Sequence, residues 1–140
     1  MNNVQVNMVA VILATLSTFV VGMIWYAKPL FGESWRKMIG LSEAQQKKGM
    51  PQALVLSLVF SFLTAYVLAH VTYLSNNFFH DSFMKDALQT AFWIWLGFFA
   101  ATTVRQNAFE QRPMKLTLIN AGNQLATLMV MGYIIGLLKP

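Results

Sequence analysis

VQVNMVAVILATLSTFVVGMIWYA, residues 4–27, carries no charged side chain. A helix rises about 1.5 Å per residue, so a run of this length crosses the ~30 Å hydrocarbon core of a bilayer. Three further stretches share the property: Gln52–Ser75, Ala87–Val104 and Leu116–Leu138. The ten Lys and Arg and the five Asp and Glu all lie between these stretches or at their ends. A water-soluble bundle would instead carry charge along the outer face of every helix. The chain therefore reads as an all-α polytopic membrane protein. It is a single domain over 1–140, with four transmembrane helices at about 4–27, 52–75, 85–106 and 115–138 forming two helical hairpins.

Composition agrees. Charged residues make up 11% of the chain and hydrophobic residues 56%, whereas soluble domains carry about 25% charge. The spans consume most of the chain and leave no room for a soluble catalytic domain. There is no cysteine, hence no disulfide, thiol nucleophile or thiolate metal site. The net charge of +5 sits in loops, where it orients the protein and meets anionic lipid headgroups rather than nucleic acid. The first span is not a cleaved signal peptide: no Lys or Arg precedes it, and it ends in Trp25-Tyr26-Ala27-Lys28.

Basic residues set the orientation. Lys28, Arg36, Lys37, Lys47 and Lys48 lie between spans one and two, and Arg105, Arg112 and Lys115 between spans three and four. Only Lys85 and Lys139 lie on the other side. The positive-inside rule places both basic loops in the cytoplasm and both termini outside. The expected location is the bacterial inner membrane, N-out and C-out.

Between spans one and two, Phe31, Trp35, Met38 and Ile39 share one helical face and Arg36 and Lys37 the other. That pattern predicts a short helix in the headgroup region. Trp25, Tyr26, Phe31 and Trp35 are the expected interfacial anchors. Ser42-x-x-Gln45 is a capping box that starts a further polar turn. Asp81 and Ser82 are candidate caps for span three. Small residues mark the expected helix contacts: Gly97 and Ala101 in span three, and Gly122, Gly132 and Gly136 in span four. Thr117, Asn120, Gln124 and Thr127 form a polar stripe on span four, which predicts that this helix is packed on both sides.

Two motifs carry a resemblance. The first is Gly22-x-x-Trp25-Tyr26-x-x-Pro29-Leu-Phe-Gly32-x-x-Trp35. The second is Asn107-x-Phe-Glu110-x-Arg112-Pro113-x-Lys115-Leu, followed by Ile119-Asn-Ala-Gly122. Together they resemble the bacterial membrane-protein family called domain of unknown function 1761, over most of the chain. The resemblance implies a small four-helix membrane protein. It brings no activity, cofactor or catalytic residue with it.

The polar residues admit few chemistries. Arg105, Asn107, Glu110, Arg112 and Lys115 gather at the cytoplasmic end of spans three and four. They read as a turn held by Glu110 with Arg105 or Arg112, or as an anion-binding mouth. The span-four stripe reads as hydrogen-bonded helix glue, or as a polar path. His70, His80 and Asp81 lack a metal-ligand spacing. No Asp or Glu falls inside an uncharged stretch, so the intramembrane carboxylate of proton-coupled carriers is not expected. No Ser-His-Asp order, HExxH or phosphate loop is present. No catalytic, cofactor-binding or metal-binding residue is assigned. The expected function is a non-enzymatic, homo-oligomeric structural or accessory module in contact with membrane lipids and, at need, a membrane-protein partner. A small channel or facilitator is the alternative, and a membrane enzyme the second alternative.

Overall fold

Asn7 decides where the first helix starts. Its side-chain oxygen accepts from the backbone N–H of Val9 at 3.0 Å and of Ala10 at 3.2 Å, capping donors that an apolar run cannot satisfy itself. In the computed structural model, which describes residues 3–140, α1 therefore runs Met8–Trp25 and not from Val4. Pro29 follows, with Leu30 in a non-helical conformation, and the chain kinks through Lys28–Gly32. A short helix α2, Glu33–Ile39, ends at Gly40 with φ of 72°, a left-handed stop that glycine adopts without strain.

Helix α3 spans Glu43–Phe79. The Ser42–Gln45 capping box is present, with Ser42 N donating to Gln45 Oε1 at 3.0 Å and Gln45 N to Ser42 Oγ at 3.2 Å. It does not open a separate turn. It opens the second apolar helix itself, which continues through Pro51 without ending. At 37 residues α3 is about 55 Å long, longer than a bilayer core. Helix α4 follows over Phe83–Phe109, capped by Ser82 rather than Asp81. It widens to a π turn at Trp95–Ala100, where the Ala101 N–H reaches the Leu96 carbonyl. Helix α5, Met114–Leu138, begins directly after Pro113, whose fixed φ suits a helix start.

The four helices α1, α3, α4 and α5 are long and apolar enough to cross a membrane. They close a ring in which α1 packs on α3 and α5, and α4 packs on α3 and α5. Alanine makes these contacts close: Ala10, Ala14, Ala65, Ala69, Ala87 and Ala91 are all buried. Leu68, Leu128 and Met131 fill the space between them. Helix α5 buries nine of its residues and packs on α1 along one side and α4 along the other.

Packing is uneven along the axis. The buried core lies toward the ends of α1 and α5 that meet at the chain termini, where Asn7 Nδ2 donates to the carbonyls of Leu138 and Lys139 at 3.1 and 2.8 Å. Toward the other end, every α3 residue over 52–60 is exposed. Val55 and Phe60 are 63% and 61% exposed. That segment is largely apolar, and its Leu58 and Val59 border an open cleft against Ile12 and Leu16 of α1.

Candidate functional site

The polar side chains of α5 meet partners from two other helices. The Thr117 hydroxyl accepts from Asn107 Nδ2 of α4 at 2.9 Å. Asn120 Oδ1 accepts from the Tyr26 hydroxyl at 3.1 Å. Gln124 Oε1 accepts from the Thr103 hydroxyl of α4 at 3.1 Å. Thr127, half-buried on the same helix, makes no side-chain hydrogen bond among the described residues.

Two tryptophans reinforce this layer from opposite sides. Trp25 Nε1 donates to the Ile119 carbonyl at 3.1 Å and Trp95 Nε1 to the Ala121 carbonyl at 2.9 Å. A buried indole N–H must find an acceptor, and a helix carbonyl has a second lone pair to offer. The Trp25 ring lies over Gly122, so close that a Cβ there would stand 2.9 Å from it. Trp25 and Tyr26, half-buried at the end of α1, thus bond inward onto α5. The small residue in the family motif makes the slot for the indole. Phe31 and Trp35 complete an aromatic group, with Phe31 4.9 Å from Trp25 and Trp35 5.1 Å from Tyr26 between ring centres. Phe31 itself is exposed.

The cluster at the α4–α5 turn separates into two parts. Asn107 joins the layer just described. Glu110 accepts from Gln106 Nε2 at 3.0 Å and from Arg112 Nε at 3.1 Å. These bonds, Gln106 first, hold the Glu110 carboxyl below its usual range. Arg112, not Arg105, is its partner. Arg105 and Lys115 are exposed and join neither group.

The glycines divide as well. A Cβ on Gly132 would lie 3.0 Å from both the Ala87 carbonyl oxygen and the Ala91 Cβ; one on Gly136 would lie 2.9 Å from Met84 Cα. Both are at close contacts of α5 with α4, as expected. Gly97 has nothing within 4 Å and Ala101 is exposed, so this pair makes no close contact within the chain. The π turn between Trp95 and Ala100 rotates the face that a regular period predicts.

His70 lies 6.1 Å from Tyr66 between ring centres, and His80 caps α3 in a left-handed conformation. No group of three His, Asp or Glu side chains converges among the described residues. Asp86, by contrast, departs from expectation. It lies within α4, one residue before the uncharged stretch, and is fully buried. The bundle does contain a buried carboxylate.

The family model described as a protein of unknown function (DUF1761) matches residues 9–136. The chain belongs to the DUF1761 family. The match takes in every residue of the α5 layer and both motifs that carried the resemblance. No curated protein and no solved structure matches the chain.

Sequence reading missed Trp95, Thr103 and Asp86 as bonded groups of this DUF1761 protein. A signal existed for Trp95: an indole in the middle of an apolar stretch needs an acceptor. The partner of Thr103 depends on the phase shift of the π turn, which no regular period contains.

Proposed function

We propose that the protein is an integral membrane protein of the bacterial inner membrane, with four spanning helices in two hairpins. It acts as a non-enzymatic, homo-oligomeric structural or accessory module. The α2 segment then lies at the cytoplasmic interface, and both termini lie outside. The observation that carries this reading is the α5 layer: Thr117, Asn120 and Gln124 bond to Asn107, Tyr26 and Thr103. Polar groups spent on neighbouring helices are glue, worth ~0.6–2 kcal/mol each in a membrane. The exposed apolar turns of α3 over 52–60 and the outward Gly97 and Ala101 supply surface for a second copy.

A second reading, a small-solute path along α5, has one observation in its favour. Asn123 Nδ2 is buried without a partner, and the Asn120 and Gln124 amides use only their oxygen ends. Proteoliposomes distinguish the two. The glue reading expects no ion or small-solute flux above protein-free vesicles. Flux through the wild-type protein that Gln124→Leu abolishes, in a stably folded variant, refutes glue and installs the path.

A further inference from the structure

Asp86 stands in the first turn of α4 and is 0% exposed. Its Oδ2 accepts from Asn76 Nδ2 of α3 at 2.7 Å. Its Oδ1 is buried and has no partner among the described residues. One turn from Asn76, on the same face of α3, Thr72 is also 0% exposed, and its hydroxyl has no partner among the described residues either. Among the described residues Thr18 is the other threonine with a buried, unpartnered hydroxyl. Thr15 and Thr64 return theirs to the carbonyl one turn back, at 2.7 and 2.9 Å, the common resort of a threonine in an apolar helix. Thr72 forgoes that bond. Asn76 donates its amide nitrogen twice, to Asp86 and to the Asp81 carbonyl at 2.8 Å, which leaves its oxygen unbonded.

Among the described residues Asp86 forms no ion pair, and the charge of Lys85 acts on it without contact. Lys85, next in sequence, is exposed and committed to Asp81 at 2.6 Å. His80 caps the end of α3, and Lys139 follows the end of α5. Helix α1 carries no charged residue. The N-terminus of α4 offers about half a positive charge, and the Asn76 amide is neutral. A carboxylate shut away from water without a counter-charge is strongly unfavourable. Acidic groups within membrane helices mark ion sites for this reason.

We propose that Asp86 Oδ1, with the side-chain oxygens of Thr72 and Asn76, binds a small monovalent cation between α3 and α4. Hard oxygen donors suit an alkali ion. The single carboxylate balances one positive charge, whereas divalent sites gather several carboxylates. The bound ion joins two helices that otherwise share few polar contacts here, and it pairs both unpartnered oxygens at once. The proposal goes beyond the structural reading and does not rest on it.

The test is thermal unfolding of the purified protein in nanodiscs, in sodium, potassium, lithium and choline chloride at one pH and one ionic strength. The expected result is a saturable rise in Tm with one alkali cation over choline, as for any ligand bound by the folded state alone. Asp86→Asn should abolish the rise, and Thr72→Val should weaken the apparent affinity by about tenfold or more. Equal melting of the wild type in all four salts overturns the proposal. So does a rise that persists in Asp86→Asn, or melting that follows pH with no cation preference, since a proton is then the counter-charge. Should Asp86→Asn not fold, an unchanged cation affinity in Thr72→Val overturns it.

Discussion

Gly132→Ala adds one methyl group where α5 crosses α4. The new Cβ would lie 3.0 Å from the Ala87 carbonyl oxygen and 3.0 Å from the Ala91 Cβ. Neither is the end of a flexible side chain, so the helices must separate by several tenths of an ångström. Overpacking of this kind costs about 1–3 kcal/mol. Alanine repays at most ~1 kcal/mol through helix propensity. With that return the net expectation is a loss of roughly 0–2 kcal/mol. Gly97→Ala is the internal control. Nothing lies within 4 Å of its added methyl group, so it should leave stability level or raise it by up to ~1 kcal/mol. Both are read as shifts in reversible denaturant unfolding of the detergent-solubilised protein. Equal behaviour of the two variants, or a loss at Gly97 with none at Gly132, would refute the assignment of the α4–α5 contact.

Three further outcomes follow from other parts of the structure. Trp25→Phe and Trp95→Phe each remove one indole N–H donated to α5 and should each cost about 0.5–1.5 kcal/mol in the same unfolding assay, with the helix count by circular dichroism unchanged. Glu110, held below its usual range by Gln106 and Arg112, contributes stability above the unfolded carboxyl pKa and loses it as pH falls through its lower folded value; a carbon-detected NMR titration should place it below the value it has in the unfolded chain, and Glu110→Gln should flatten the acid limb of stability. Single cysteines at Ser42 and Asn77, in a chain with no native cysteine, should show an impermeant thiol reagent reaching only Asn77→Cys on intact cells; reaction at Ser42→Cys alone reverses the proposed orientation.

The parts legible in the sequence are those governed by local rules. Uncharged length gave the four long helices. The Ser42–Gln45 box and Ser82 are caps because their side chains reach backbone three residues away. Gly132 and Gly136 sit at a contact because they share a small face of a regular helix. The parts that were not legible depend on what stands opposite. The inward bonds of the aromatic pair at the end of α1 depend on Gly122, which leaves a slot for the Trp25 ring. Gly97 and Ala101 face outward because the π turn over Trp95–Ala100 breaks the period that assigns faces. Asp86 read as a charge at the end of a span because the neighbours that bury the first turn of a helix beginning at Phe83 are not revealed by composition.

The claim at the centre of this account is that Gln124 binds Thr103 as helix glue. A double-mutant cycle with Thr103→Val, Gln124→Leu and the double variant isolates that pair directly. A 3.1 Å bond between a hydroxyl and a side-chain amide oxygen predicts a coupling of ~0.6 kcal/mol or more, up to ~2. Additive effects within the error of unfolding would contradict it and leave the α5 amides free for water.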